Sequence, residues 1–350
     1  MNSYLALILS AVGAFAITAL LGYVIIPWLH KLKFGQTILD IGPKWHKKKQ
    51  GTPNMGGLMF IIGITVAFAV GAGLFAGLGG NLETDYSAIF SGRDRVLLIS
   101  SLMLGIGCGL VGFTDDFIKI KMKRNEGLTP KQKTVGQLVM TVGYVATLWI
   151  SKNTVWYFPF IGSVDFSKNV FTGIVFWALS VVIIYGCVNS ANLTDGIDGL
   201  CSSVTAVIAV SFIVMAYIMS FSGLGILAAA LLGGMCGFLC WNHNPAKVFM
   251  GDTGSLFIGG VVAGLGFAIK CPILLLPICI VYVCETMSDI IQIGYFKITH
   301  GKRIFKMAPI HHHFEMCGWK EKKICRVFSL VNAIGCLIAV LIIYYGRAIY

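Results

Sequence analysis

Residues 96–120 read VLLISSLMLGIGCGLVGFTDDFIKI. An apolar run long enough to cross a bilayer ends on two adjacent aspartates, Asp115 and Asp116. A spanning helix needs about 20 apolar residues and satisfies its own backbone polar groups in the hydrocarbon. The run therefore reads as a membrane helix, and carboxylates at its boundary are costly enough to point to function. Comparable runs recur along the chain, with spans expected at about 4–29, 55–78, 96–114, 135–151, 170–188, 200–220, 223–241, 256–270, 272–296 and 326–346.

Composition agrees. Of 350 residues, 57% are hydrophobic and 12% charged, whereas a soluble domain carries about 25% charged residues. Mean hydropathy is +0.82. The expected fold class is an all-α integral membrane protein, a single domain over residues 1–350 built as a bundle of ten transmembrane helices. The first run, Tyr4 to Trp28, is too long for a signal-peptide core and lacks a small-residue cleavage site, so it reads as a retained span. Segment 151–169, SKNTVWYFPFIGSVDFSKN, alternates aromatics with turn residues and predicts a small hairpin. No repeat of fixed period and no low-complexity tract is visible.

The net charge of +12 would suit nucleic acid, but its distribution argues otherwise. Loops 30–54, 115–134, 189–199, 242–255 and 297–326 carry 21 of the 27 Lys and Arg. Arg93, Arg95, Lys152, Lys168, Lys270 and Arg347 fall on the other side. By the positive-inside rule the first set faces the cytosol and both termini face outward, in keeping with an even number of spans. The charge then belongs to a membrane face that meets lipid headgroups or an anionic substrate, and no nucleic-acid partner is expected. The eleven cysteines fall mostly in apolar runs, without zinc-ligand spacing, and read as small apolar fillers. Gly105, Gly109 and Gly112 have the spacing of close helix packing.

The acids collect on the same face. Asp115, Asp116, Asp195, Asp198 and Asp252 all stand at cytosolic span ends or in cytosolic loops, in three separate segments. Taken singly, each could be a helix cap or a solvated loop acid. In NSANLTDGIDGL (189–200) there is no Lys or Arg, and Asp195 and Asp198 are three apart, as on one face of a helical turn. Asn189 and Asn192 offer amide donors there. An uncompensated acidic turn on the positive side of a membrane suits a bound cation or a cationic partner nearby, and Mg²⁺ takes oxygen ligands and shares its shell with phosphates. In NHNPAKVFMGDTGS (242–255), Asp252 lies between glycines, with Thr253 and Ser255 beside it, in a loop suited to presenting one carboxylate and several N–H groups. By itself GDTGS is weak, since Gly-Asp turns are common.

APIHHHFE (308–315) follows the basic residues Lys297, Lys302, Arg303 and Lys306. Consecutive histidines point in different directions, so His311, His312 and His313 could not all bind one ion, and phosphate recognition is the better reading. Lys119, Lys121, Lys123, Lys131 and Lys133 follow the aspartate pair, and Lys47, Lys48 and Lys49 precede GTPNMGG (51–57). Each lysine alone could serve only topology and headgroup contact. Carboxylates, a hard cation, lysines and glycine turns together are the parts of phosphoryl transfer, where positioning and charge neutralisation dominate. No GxxxxGK[ST] loop occurs, which argues against ATP hydrolysis. Glu285 and Asp289 are four apart in the ninth run, with Gln292 beyond. Glu285 is the deeper, either a structural hydrogen-bonder or part of a lipid-facing groove.

GTPNMGG, FTDDFIK, NLTDGIDGL, FMGDTGS and PIHHHFE resemble, in order and across nearly the whole chain, the phospho-N-acetylmuramoyl-pentapeptide transferases of bacterial peptidoglycan synthesis. These belong to the polyprenyl-phosphate N-acetylhexosamine-1-phosphate transferase superfamily. The resemblance implies ten transmembrane helices in the bacterial inner membrane, a cytosolic active-site cleft and Mg²⁺ as cofactor. It implies UDP-MurNAc-pentapeptide and undecaprenyl phosphate as substrates, lipid I and UMP as products, membrane lipids as surroundings and a homodimer as a common state. By that analogy Asp252 ligates Mg²⁺ with Asp115 and Asp116 beside it. Lys49, Asn192, Asp195, Phe249 and Gln292 match positions around the nucleotide and Mg²⁺, and His311, His312 and His313 match the family's histidine run. Asp115, Asp116, Asp252 and His311 are the expected catalytic residues. Asn54, Lys119, Lys131, Lys133 and Asp198 join the expected substrate contacts. Many members carry Thr where Asn54 stands, which predicts a tuned contact. A sister enzyme transferring GlcNAc-1-phosphate would share the aspartate segments, while PIHHHFE favours the muramoyl substrate. A cation-coupled transporter fits less well, because the acids lie at one face and no inverted repeat shows.

Overall fold

The computed structural model describes residues 3–32, 49–83, 94–122 and 126–346. Lys47, Lys48, Arg93, Lys123 and Arg347 lie outside the described residues. The described chain orders as α1 (Ser3–Lys31), α2 (Gly57–Gly77), α3 (Asp94–Lys121), α4 (Pro130–Ile150), the hairpin β1 (Val155–Phe158) and β2 (Gly162–Asp165), then α5 (Val170–Thr194) and α6 (Leu200–Ile218). There follow α7 (Ser222–Asn242), α8 (Gly251–Ala268), the short α9 (Leu275–Ile278), α10 (Ile280–Ile298), α11 (Ile310–Met316) and α12 (Glu321–Gly346).

Eight helices are long and apolar enough to cross a membrane: α1, α2, α3, α5, α6, α7, α8 and α12. The segments Pro272–Ile278 and Ile280–Ile298, bent by 83° at their junction, bring the number to nine if they count as one span. The chain is thus an all-α, multi-pass membrane protein. α4, expected as a further span, is a 21-residue helix of about 31 Å at 1.5 Å per residue. Lys131, Gln132, Lys133 and Gln137 in its first turns keep it outside the apolar set. Its start is fixed by a capping box: Thr129 accepts from the Gln132 N–H, Gln132 Oε1 accepts from the Thr129 N–H, and Pro130 takes the first turn.

α8 is buried from Thr253 to Ala268 and forms the centre of the bundle. α3 packs on it through small residues. A Cβ at Gly112 would stand 2.1 Å from the Asp252 carbonyl oxygen, and one at Gly105 2.4 Å from Val261. Only glycine permits that approach, which in lipid supplies the dispersion contact that holds helices together. The outer helices turn apolar side chains outward, among them Leu20, Tyr23 and Val24 of α1 and Val182 of α5.

Three segments expected as loops are partly helical. α3 runs to Lys121 and includes Asp115, Asp116 and Lys119, while α5 runs to Thr194 and includes Asn189 and Asn192. α8 begins at Gly251, so Asp252 sits in its first turn. Apolar patterning marks where hydrocarbon ends, whereas a helix continues while its i→i−4 bonds are made. The hairpin expected in 151–169 pairs Val155 with Asp165 and Phe158 with Gly162. Trp156 packs against Phe166, Phe176 and Phe267, at the end of α8 opposite Asp252.

Candidate active site

The C-terminal turns of α3, the first turn of α8, the start of α4 and the end of α5 meet at one end of the bundle. Asp115, Asp116 and Asp252 each offer a carboxylate oxygen within 4.8 Å of the others, and among the described residues they are the one group of three such side chains close enough to share an ion. Asp115 and Asp116 are buried, and the Asp252 side chain keeps 17% of its surface exposed. Asp252 gains from the positive end of the α8 dipole.

Each carboxylate is held by a distinct set of donors. Asp116 Oδ2 accepts from the Thr253 N–H at 2.9 Å and the Thr253 hydroxyl at 2.7 Å, and its Oδ1 accepts from Asn54 Nδ2 at 3.2 Å. Asp115 Oδ1 accepts from the Leu128 N–H at 2.7 Å. Asp252 Oδ1 accepts from Asn192 Nδ2 at 2.7 Å. Two ammonium groups face the three carboxylates: Lys119 Nζ lies 2.9 Å from Asp252 Oδ2 and 2.5 Å from Asp115 Oδ2, and Lys133 Nζ lies 2.9 Å from Asp252 Oδ2. Gly251 has φ +70°, and a Cβ there would meet Asp116 Oδ2 at 2.5 Å and Asn54 Oδ1 at 2.6 Å, so glycine is required on both counts.

The donor set suits a hard divalent cation: it is all oxygen, and three carboxylates outnumber two ammoniums. Asn54 Oδ1, beside Asp116, is in addition a buried oxygen without a hydrogen-bond partner among the described residues. These residues therefore fit Mg²⁺. Asp195 caps the end of α5 among the same carboxylates. Burial, then the charges of Asp252, Asp116 and Asp198, hold its carboxyl well above the usual carboxylate range.

A family model described as glycosyl transferase family 4 matches residues 98–270. The phospho-N-acetylmuramoyl-pentapeptide-transferase of Carboxydothermus hydrogenoformans is 44% identical over 335 residues, covering 93% of this chain and 94% of that protein. Those of Halalkalibacterium halodurans, at 44% over 97% of both chains, and Bacillus mycoides, at 42% over 97% of this chain and 98% of the other, carry the same name. The chain belongs to the phospho-N-acetylmuramoyl-pentapeptide-transferase family.

For a member of that family, the remaining expected residues divide into three groups. Asn54, Lys119, Lys133 and Asn192 touch the carboxylate cluster directly. Lys49 forms a second cluster, with Nζ 2.7 Å from Asp198 Oδ1 and 2.7 Å from Glu321 Oε1. These partners raise the Lys49 ammonium's pKa against the opposing effect of its burial. Asp198 Oδ2 also accepts from Asn244 Nδ2 and the Ala246 N–H, so Asp195 and Asp198 do not act as one pair on a helical turn. Phe249 lies just before α8, with its N–H donated to the Pro53 carbonyl.

The third group is turned to other partners. Gln292 spends its amide on Ile304, Phe305 N–H and the Phe305 carbonyl, tying down the basic segment before α11. Lys131 is exposed in the first turn of α4. The histidines diverge as their spacing requires: His311 Nδ1 meets Glu285, His312 Nδ1 meets Glu315, and His313 Nδ1 accepts from the Lys306 N–H. Sequence reasoning missed Glu321, which reads as one acid in a basic run, and the Leu128 N–H, which no side-chain pattern reveals.

Proposed function

We propose that this transferase moves phospho-MurNAc-pentapeptide from its UDP carrier to undecaprenyl phosphate at the cytosolic face of the bacterial inner membrane, giving lipid I and UMP. The observation that supports this most is the convergence of Asp115, Asp116 and Asp252 with Lys119 and Lys133 at the membrane-boundary ends of three helices. Asp115, Asp116 and Asp252 would hold Mg²⁺. When bound, the ion neutralises charge on the diphosphate. Lys119 and Lys133, exchanging Asp252 for phosphate oxygens, bind and orient the diphosphate. Thr253 and Asn54 keep Asp116 fixed, so the cluster needs little reorganisation. Asp115 takes any proton remaining on the lipid phosphate. An oxygen of that phosphate attacks the β-phosphorus, the bond to the bridging oxygen breaks, and UMP leaves. Direct attack is favoured over a phosphoryl-enzyme because a phosphate monoester is already anionic at neutral pH.

Lys49, Asn192, Asp195, Asp198, Phe249 and Gln292 are assigned to the nucleotide side, His311, His312 and His313 to the sugar side, and Lys131 to the rim. The same reading includes one domain over 1–350, α4 as a tenth span, extracytoplasmic termini and a homodimer.

The test is UMP release by purified protein with undecaprenyl phosphate. Turnover of UDP-MurNAc-pentapeptide, lost on adding EDTA, is the expected result, with Asp252→Asn slower by at least about 10³-fold while remaining folded. Turnover of UDP-GlcNAc instead would move the enzyme to another glycan pathway, and release from neither would overturn the reading.

A further inference from the structure

Glu285 lies in α10 with its carboxyl completely buried, and His311, at the start of α11, is equally buried. Glu285 Oε2 stands 2.9 Å from His311 Nδ1 and 3.4 Å from the His311 backbone nitrogen. A carboxylate 26 positions away thus holds the first of the three histidines by ring and backbone together. His312 meets Glu315 within α11, and His313 meets the nearby Lys306 N–H, so both are held locally.

The two ends of the Glu285–His311 pair are open. Glu285 Oε1 and His311 Nε2 are buried, yet neither has a hydrogen-bond partner among the described residues. Buried polar atoms are nearly always paired, and an exception calls for a reason. Nε2 is also aimed at a defined place. A Cβ added to Gly196 would stand 2.1 Å from it, so the imidazole edge lies directly against the backbone that follows Asp195. Any residue larger than glycine at 196 would displace the ring.

We propose that Glu285 is a positioning residue for the transfer reaction, fixing His311 so that Nε2 faces the Asp195–Gly196 turn where the sugar nucleotide is bound. This rests on the function proposed above. An ionised carboxylate can only accept, so it fixes the proton on Nδ1 and leaves Nε2 as the one ring atom for a ligand. The arrangement follows the logic by which an outer carboxylate sets the tautomer and orientation of a functional histidine, where losing the outer partner costs about 10–100-fold in activity. Packing alone would be served as well by an apolar pair.

Glu285→Gln keeps the shape and removes the obligate acceptor. In the full chain in detergent, kcat for UMP release is expected to fall about 10–100-fold, with the thermal midpoint unchanged. In a His311→Ala background the same substitution should add nothing, because its effect passes through the imidazole. Gly196→Ala, which pushes the ring away with Glu285 intact, should produce a comparable loss. Histidine-selective ¹⁵N spectra recorded without substrate should show His311 with its proton on Nδ1 in the wild type and a changed tautomer signature in Glu285→Gln.

Losses in Glu285→Gln and His311→Ala that multiply in the double variant, or an unchanged ¹⁵N signature, would make Glu285 a structural brace and overturn the proposal. Should Glu285→Gln fail to fold, the ¹⁵N signature of Gly196→Ala decides, an unmoved ring being the overturning result. Wild-type protein that releases no UMP would defeat the functional reading instead, and the ¹⁵N comparison would still decide the positioning.

Discussion

Asp195 stands where three unfavourable influences meet: burial, the neighbouring carboxylates of Asp252, Asp116 and Asp198, and the negative end of the α5 dipole. Its carboxyl is held well above the ordinary range, so the folded protein favours its protonated form more than the unfolded chain does. Ionising it therefore costs stability, progressively, as pH rises from the unfolded value of about 3.9 through the folded one. Without divalent cation, Asp195→Asn should melt higher than wild type at alkaline pH, by on the order of 2 °C for each kcal/mol relieved. The gap should narrow as pH falls and wild-type Asp195 takes up its proton, and shrink at alkaline pH when Mg²⁺ is supplied. Thermal melts of both proteins under the three conditions check this, and a gap independent of pH and cation refutes it. Spacing grouped Asp195 with Asp198, yet Asp198 turns to Lys49, 149 positions away, and shares it with Glu321, 272 positions from that lysine. Residue types were readable in the sequence; partners at such separations are set by how helices cross.

The crossing of α3 on α8 is what turns two motifs 136 positions apart into one cluster, and Gly112 sits at its tightest point. A methyl there would press on the Asp252 carbonyl, which is backbone and cannot swing aside. Gly112→Ala should push the two helices apart, lower stability by about 1–3 kcal/mol through overpacking and remove most of the turnover. Gly143 in α4 provides the control, since a Cβ there meets nothing within 4 Å. Gly143→Ala should be neutral or slightly stabilising, because alanine is the better helix former. Turnover within twofold of wild type in Gly112→Ala would show that this crossing does not set the cluster. The small-residue spacing of Gly105, Gly109 and Gly112 was visible as packing chemistry, but nothing in it named α8 as the partner. Helix ends were equally illegible, and Asp252, expected in a loop, opens a helix because hydropathy fades before backbone hydrogen bonding does.

Topology follows from how the two ends of the bundle differ. The carboxylate cluster lies at the end served by the basic segments, which hold 21 of the 27 Lys and Arg, and the hairpin lies at the other. Whether the two termini share a side depends on the parity of the spans, and so on α4. Its first turn places Lys133 on Asp252 at the start of α8. Midway, the Tyr144 hydroxyl reaches the Gly264 carbonyl at 3.5 Å, and the Tyr144 ring packs edge-on to Phe267. From Ile150 the chain enters the hairpin, whose Trp156 also packs on Phe267. α4 thus runs parallel to α8 over its full length, and if α8 crosses the membrane α4 must cross with it. Counting α4 and the bent pair would give the ten spans proposed above, and the positive-inside rule would then put both termini outside. A C-terminal alkaline phosphatase fusion should then be active in cells, and a C-terminal green fluorescent protein fusion dark. The same pair of reporters placed after Lys152, in the hairpin segment, should behave alike. A fluorescent C-terminal fusion combined with an active phosphatase after Lys152 would mean that the bent segment 272–298 re-enters on one side without crossing. A fluorescent fusion after Lys152 would mean that α4 itself does not cross, and would break the link between the packing of α4 on α8 and the topology.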